Sequence, residues 1–276
     1  MAVSALDAVR GWDVPTVAAA VVGLDGVRER IGPTAQPFRL ASVTKVLAAV
    51  AVHVAVEEGT VSLDDDVAPA GGPEGATVRH LLAHASGLPP DGDRRPLGPV
   101  GRRRIYSNVG FEVLADHVGA ATGMPFARYA QAALVEALEL PATSTDGSAA
   151  HGYRSSVDDL AAVLDAVLGG RLLAPETVAT MTAVAFPELA GVLPGFGRQD
   201  PNPWGLGVEV RGHKSPHWTA PEGSPATWGH FGQSGTFLWW DPDARVGLVV
   251  LTDRDFGPWA ATTWPELSSA VLAEHR

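Results

Sequence analysis

Ser42-Val43-Thr44-Lys45 sets a hydroxyl and an amine three residues apart. On a helix both side chains stand on one face, one turn apart and within mutual reach. A serine hydroxyl is a poor nucleophile until a base takes its proton, and a lysine serves as that base where burial and nearby positive potential lower its pKa toward neutrality. The chemistry that uses such a pair is nucleophilic acyl transfer. The plainer account is a serine capping a helix beside an incidental lysine. Against it, a capping box wants Glu or Gln where Lys45 stands, and the helix dipole disfavours a cation in the first turn by about 0.3–1 kcal/mol. With 14 serines but only two lysines, Lys45 and Lys214, against 18 arginines, chance supplies this spacing only about 0.1 times.

Two further segments carry groups suited to the same chemistry. Tyr106-Ser107-Asn108 lies between RRRI and VGFEVLADHV, on a loop running into a helix. Tyr106 is suited to relay a proton, and Asn108 to orient a substrate amide or hold the lysine; a packed aromatic and a helix N-cap are the alternatives. In WGHFGQSGTF, residues 228–237, His230 beside Gly232 presents an imidazole and a close-approach backbone at a strand rim, or else a turn with a solvent-facing histidine.

These groups need a scaffold. At 276 residues with 46% hydrophobic and 18% charged composition, the chain is long enough to bury about three quarters of its unfolded surface. TVAAAVVG, Asp25-Gly26 and VRERIG read as strand, two-residue turn and strand. From Val43 to about Glu58 the spacing of Val46, Leu47, Val50 and Val54 fits a 3.6-residue period, with Gly59 placed to end the helix. Helical stretches follow at 77–84, 108–122, 125–139, 156–168 and 175–183. Strand character returns at 204–212, 236–242 and 244–254, and PELSSAVLAEHR is again helical. The pattern predicts an α/β (α+β) fold: a mostly antiparallel sheet built from both chain ends and flanked by terminal helices, with an inserted all-helical lobe. The α/β lobe is expected over about 1–60 and 190–276, the helical lobe over about 61–189, in a single domain.

Composition narrows the function. A net charge of −11 and a pI near 5.2 argue against nucleic-acid or anionic-membrane partners. The run Arg94, Arg95, Arg102, Arg103, Arg104 is the local exception, either a solvated loop or an attractor for an anionic substrate. With no cysteine there is no disulfide, thiolate metal site or cysteine nucleophile. MAVSALDAVRGWDVP meets Asp7 and Arg10 before any secretory apolar stretch, and the longest apolar run, Val46 to Val56, is too short to span a membrane, so a cytoplasmic location is expected. His80 and His84 are four apart, but position 81 is Leu and no third ligand is evident, so no metal site is expected. There is no G-x-S-x-G elbow, which argues against an α/β-hydrolase; Gly205 and Gly207 lack the third glycine and following helix of a dinucleotide fingerprint and read better as strand packing, and no cofactor is expected.

Taken in order, Ser42-Val43-Thr44-Lys45, Tyr106-Ser107-Asn108 and His230-Phe231-Gly232 resemble the three motifs of the penicillin-recognising serine hydrolases: class C β-lactamases, D,D-peptidases and related esterases. LLAHASGLP (81–89), SSVDDLAAVL (155–164), LAPETVATM (173–181) and HFGQSGTFLWWDPDARVGLVVLTDR look like further segments of that family, so the likeness covers nearly the whole chain. It implies a β-lactamase-like fold, with Ser42 as acylated nucleophile, Lys45 as its base, Tyr106 as proton relay and Asn108 as a substrate-orienting residue. The oxyanion hole would come from the backbone N–H groups of Ser42 and of Gln233, which follows Gly232. His230 stands where many members carry a lysine, which weakens the charge that would hold a β-lactam carboxylate. Only 63 residues separate Ser42 from Tyr106, so the helical lobe looks trimmed and the cleft more open. With no secretion signal, the expected activity is that of an esterase, amidase, small-peptide hydrolase or acyltransferase on a small ester, amide or short peptide, rather than of a dedicated β-lactamase. The alternative from another class is a non-catalytic module that binds or senses acylated ligands, which has no need of an intact base and relay.

Overall fold

The computed structural model describes residues 4–276. The run VAAAVVG forms β1 (Val17–Gly23) and turns at Asp25-Gly26 into β2 (Gly26–Ile31). Gly26 takes φ +102°, which a residue without a Cβ adopts at no steric cost. Two short strands, β3 (Phe38–Arg39) and β4 (Arg154–Ser155), pair with each other, and β5 (Gly191–Leu193) and β6 (Gly197–Gln199) form a separate hairpin. β7 (Glu209–Val210), β8 (Trp228–Gly232), β9 (Thr236–Asp241) and β10 (Val246–Thr252) complete the main sheet in the order β2-β1-β10-β9-β8-β7, antiparallel throughout. The chain ends therefore meet at its centre, with Val17 opposite Thr252 and Gly23 opposite Val246.

Both faces of this sheet are buried, which is why β1 and β10 read as continuous apolar runs. Ala19, Val21, Phe237, Trp239, Leu248 and Val250 pack on one face against the C-terminal helix, through Trp264, Leu267 and Val271, and against a 3₁₀ helix at Ala5–Gly11, through Leu6 and Val9. Ala18, Ala20, Val22, Leu238, Trp240, Val249 and Leu251 face the remaining helices. Those are α1 (Thr44–Glu57), α2 (Val78–Leu82), α3 (Asn108–Thr122), α4 (Phe126–Ala130, running into a π-helical turn at Gln131–Glu136), α5 (Val157–Leu168) and α6 (Pro175–Thr182); the C-terminal helix is α7 (Pro258–His275). Among the described residues no helix is long and apolar enough to cross a membrane.

The architecture is the expected one, with local corrections. α1 has no solvent face from Thr44 to His53, where every residue is buried; only its last turn meets solvent, with Val54, on the expected apolar stripe, half-buried and Glu57 exposed. The helix runs between the sheet and the other helices, so its alanines are as enclosed as its valines. The helix expected over 77–84 stops at Leu82, and His84 takes φ +55°, turning the chain toward α3. Of the strand expected over 204–212 only Glu209–Val210 forms, because Leu206 and Gly207 donate their N–H groups to the Met181 and Leu82 carbonyls (2.8 and 3.0 Å) instead of to a ladder. β8, with glycines at two of its five positions, was not expected as a separate strand. The last helix begins at Pro258 and carries Pro265 inside it.

Gly207 shows how tightly this segment lies on α1: at φ +98° an added Cβ would fall 2.1 Å from the Ala49 Cβ. Gly207→Ala is expected to cost about 2–4 kcal/mol of stability. Gly59→Ala, also at positive φ (+72°) but facing open space, is expected to cost about 1 kcal/mol. Denaturant melts of both variants compare the two, and equal losses would show that contact with α1 is not what requires Gly207.

Candidate active site

Ser42 is placed by contacts from three directions. β3 pairs with β4, and the Leu40 N–H donates to the Tyr153 carbonyl (3.1 Å). From the other side the Thr236 hydroxyl donates to the Leu40 carbonyl (2.8 Å) and the Ser234 hydroxyl to the Arg39 carbonyl (2.7 Å). β8 passes so close that a Cβ on Gly232 would lie 2.3 Å from the Leu40 carbonyl oxygen, so only glycine fits there. Ala41 takes φ +44°, and Ser42 sits in the 3₁₀ turn Ala41–Val43 that leads into α1. The N-cap of α1 is Val43 and no side chain caps the helix, so the Ser42 hydroxyl is not engaged in capping.

That hydroxyl, half-buried at the cleft wall, receives one contact: the Tyr106 hydroxyl lies 2.6 Å from Ser42 Oγ. Burial pushes the Tyr106 phenol well above its ordinary range, so it stays protonated. Ser107 caps α3, its hydroxyl accepting from the Gly110 N–H (2.8 Å), so Asn108 is free of the capping role and turns its amide inward. Asn108 Oδ1 accepts from Lys45 Nζ at 2.6 Å, while its Nδ2 donates to Asp91 Oδ1 at 2.8 Å, which fixes the orientation of the amide.

Lys45 lies beneath, with no solvent exposure. Its Nζ donates to Asn108 Oδ1 and to the Ala150 carbonyl (2.8 Å) and sits 4.6 Å from the centre of the Tyr106 ring. An ammonium has three hydrogens and a neutral amine two. Two acceptors therefore satisfy the amine and leave its lone pair unused. Burial lowers the Lys45 pKa to about 7, opposed by the charges of Asp91 and Glu112. The direct contact with Ser42 belongs to Tyr106 rather than to Lys45.

His230, on β8, is buried, and its Nδ1 lies 2.7 Å from the Phe231 carbonyl, which can only accept; Nδ1 therefore carries the hydrogen and Nε2 is an unpartnered acceptor. Burial, then the charge of Lys45, lowers its pKa to about 3, so the imidazole is neutral across the physiological range. It is neither solvent-facing nor a cation. Gln233 follows at the cleft edge, its carbonyl accepting from the Phe256 N–H (2.7 Å). The N–H groups of Ser42 and Gln233 donate to no backbone acceptor in the surrounding turns. Ser42, Tyr106, Asn108, His230 and Gln233 line one cleft of about 180 Å³, with Lys45 under it and Gly232 behind it.

Other residues of the cleft have no motif to announce them. Trp204 and His84 wedge the Tyr106 ring, with centroids at 5.8 and 4.7 Å. His84 Nδ1 accepts from the Ser107 N–H (3.1 Å), and His80 Nδ1 is taken by Thr77. Glu209 reaches the cleft from β7; its carboxylate accepts from Lys214 Nζ (2.7 Å), His217 Nε2 (2.9 Å) and Trp218 Nε1 (2.7 Å). Burial pushes this carboxyl up, but Lys214 and His217 more than reverse that and hold it below the usual range. The one sequence signal was lysine scarcity: both lysines are buried, and every other basic position is Arg or His.

A nucleophile-type serine held by a tyrosine over a desolvated lysine, at the junction of an antiparallel sheet and a helical layer, defines a β-lactamase-like protein. The chain belongs to the Beta-lactamase family, whose model matches residues 9–272. It is similar to the crystal structure of a β-lactamase from Mycobacterium bovis, at 51% identity and a TM-score of 0.95 over 99% of each chain. A D-stereospecific amidohydrolase from a Streptomyces species shares the fold at 21% identity and a TM-score of 0.71, covering 98% of this chain and 96% of that one. EstCE1, a hydrolase with promiscuous acyltransferase activity, does so at 18% identity and a TM-score of 0.78, covering 97% and 96%. No curated protein sequence matches the chain.

Because the chain has only two lysines, ¹³C-lysine labelling yields two side-chain resonances, separable with Lys214→Met. The Lys45 resonance is expected to titrate near pH 7. The Asp91 charge raises the Lys45 pKa, so Asp91→Asn is expected to move that titration to lower pH. A Lys45 resonance titrating near 10 would show that its surroundings are wet.

Proposed function

We propose that this protein is a serine hydrolase that acts on an ester or amide through a covalent acyl-enzyme. The reading rests on one arrangement: Ser42 Oγ in contact with Tyr106 Oη, next to a buried Lys45 amine whose two hydrogens are taken and whose lone pair is free. As Ser42 Oγ attacks the acyl carbon, its proton passes to Tyr106 Oη while the Tyr106 proton moves to Lys45 Nζ; a phenol with a raised pKa is a poor base alone but a good conduit to an amine of pKa about 7. The tetrahedral oxyanion accepts from the Ser42 and Gln233 N–H groups. On collapse, the acyl–leaving-group bond breaks, the leaving group takes a proton from Tyr106, and Lys45 returns its proton to Tyr106, so that the amine is again neutral for the second half of the reaction. Water, or another acceptor, then attacks the acyl-enzyme. Asn108 holds Lys45 and faces the substrate.

Likeness to a β-lactamase favours a second reading, hydrolysis of a β-lactam. Neutral His230 weighs against it, because it offers a substrate carboxylate an acceptor in place of a cation. An esterase, amidase, small-peptide hydrolase or acyltransferase activity on a small substrate fits this neutral site better.

Intact mass spectrometry after incubation with a fluorophosphonate tests the nucleophile: one adduct is expected, on the peptide carrying Ser42, and none in Ser42→Ala. Absence of the wild-type adduct, or equal labelling of the variant, overturns the proposal. The same measurement with penicillin, followed by assay of its turnover, decides the second reading. With a p-nitrophenyl acyl ester, kcat/KM is expected to rise with pH through about 7, as Lys45 loses its proton, and then level off. Lys45→Arg, which cannot lose its proton, is expected to lose about 10²–10⁴ of kcat/KM.

A further inference from the structure

Lys214 takes no part in the proton transfers at Ser42, yet it too is buried, and it is better supplied with acceptors than Lys45. Its Nζ donates to the Pro203 carbonyl (2.9 Å), the Val210 carbonyl (2.8 Å) and Glu209 Oε1 (2.7 Å). Three acceptors take all three hydrogens of an ammonium, where the two at Lys45 satisfy an amine. The partner carboxylate is fixed in turn by its neighbours. His217 Nδ1 accepts from the Thr219 N–H (3.2 Å), so Nε2 carries the hydrogen that reaches Glu209 Oε1 (2.9 Å), and Trp218 Nε1 donates to Oε2 (2.7 Å). Burial lowers the His217 pKa, so the imidazole adds no charge and the ion pair is balanced one to one.

Pro203 and Val210 are the two ends of a turn that carries Trp204 and Glu209. Its own backbone closes it weakly: the Gly205 N–H donates to the Val208 carbonyl (2.9 Å), and the Val210 N–H reaches the Pro203 carbonyl at 3.4 Å. The helical layer holds the middle of the turn through Leu206 and Gly207, and Lys214 holds its ends. Trp204, just inside that closure, is buried, with its ring centre 5.7 Å from Lys214 Nζ. The same indole packs on the rings of His84 (4.6 Å), His230 (5.3 Å) and Tyr106 (5.8 Å). Tyr106 in turn covers Lys45 Nζ and meets Ser42 Oγ. An unbroken line of contacts therefore runs from Lys214 through Trp204 and Tyr106 to Lys45.

We propose that Lys214 is a positioning residue for the proton relay: with Glu209 it closes the turn that presses Trp204 on the Tyr106 ring, and so keeps water from Lys45. The inference rests on the acyl-transfer reading of the Ser42 cleft. It gives the two lysines opposite duties set by hydrogen count, one a charged tie and the other a neutral base. The charges acting on Lys45 are those of Asp91 and Glu112, and His84 and His230 near it are neutral. Lys214 and Glu209 are not among them, so a change at Lys45 on removing the tie reports water rather than lost charge.

Lys214→Met leaves Lys45 as the one lysine, so a single ¹³C-lysine resonance follows its titration without any turnover. In folded Lys214→Met the midpoint is expected to rise from about 7 by about one unit, because water stabilises the ammonium. Since that variant strands the Glu209 carboxylate, E209Q/K214M is measured beside it and is expected to show the same rise. Trp204→Leu, which keeps the tie and removes the ring, is expected to raise the midpoint too, and Trp204→Phe to raise it less. With a p-nitrophenyl acyl ester, Lys214→Met is expected to lose about tenfold in kcat at pH 7, with the pH limb displaced upward and KM within about twofold. A mere loss of folded enzyme would lower kcat and leave the limb in place. A midpoint unmoved in the folded Lys214 variants, or raised in them but not in Trp204→Leu, overturns the proposal. Where loss of the tie unfolds the chain, Trp204→Leu decides: a raised midpoint supports the proposal and an unmoved one overturns it. Absence of fluorophosphonate labelling at Ser42 would overturn the acyl-transfer reading instead, and the resonance comparison stands apart from it.

Discussion

The buried amine of Lys45 is the constraint on which the rest of the site depends. Holding an amine at a pKa of about 7 rather than 10.5 means that its surroundings disfavour the ammonium by about 5 kcal/mol. That requires complete exclusion of water and no third acceptor. α1 supplies the first by being buried on every side from Thr44 to His53. Asn108 and Ala150, from segments remote in sequence, supply two acceptors and no more. The helix N-terminus nearby adds positive potential, so a position unsuited to a cation suits a neutral base.

The hydroxyl groups are held with comparable economy. Ser42 is kept outside the regular helix by a left-handed Ala41 and by the side chains of Ser234 and Thr236, which reach from the β8–β9 turn to the carbonyls just before it. Glycine at 232 allows β8 to approach that closely. The sheet can carry this load because both its faces are packed, one by α7 and the 3₁₀ helix at Ala5–Gly11, the other by the helical layer. Tyr106 is aimed from behind by His84 and Trp204, neutral rings that exclude water without adding charge.

Charge is distributed by the same logic. Lysine, the cation that loses its proton readily when desolvated, appears only where it is buried, and arginine takes the remaining cationic positions. Lys214 is matched to Glu209, with His217 and Trp218 completing the carboxylate's hydrogen bonds, so a fully buried ion pair stands behind the cleft without an unpaired charge. Arg104 shows the complementary use: a permanent cation whose fork satisfies several backbone carbonyls at once.

Much of this was legible in the sequence. The hairpin at Asp25-Gly26, the long helices and the last strands follow from local periodicity and turn chemistry, which act within a few residues. The Ser42-to-Lys45 spacing stood out because lysine is rare here, and the structure brings the Tyr106-Ser107-Asn108 and His230-Phe231-Gly232 segments to the same cleft. Composition could not show that α1 has no exposed face from Thr44 to His53, that Ser107 rather than Asn108 caps α3, or that residues 204–207 bond to the helical layer instead of a strand. Nor could it show Asp91 turning the Asn108 amide, Glu209 reaching the cleft from β7, or the neutrality of His230. Apart from the Ser107 cap, whose partner Gly110 lies three residues on, each of those is set by contacts between segments remote in the chain or by the burial such contacts create. The sequence by itself determined which groups were available and how they were spaced along the chain. Only the tertiary structure decided which of them are dry, and dryness is what lowers the pKa of a buried lysine toward neutrality and leaves a histidine an uncharged acceptor.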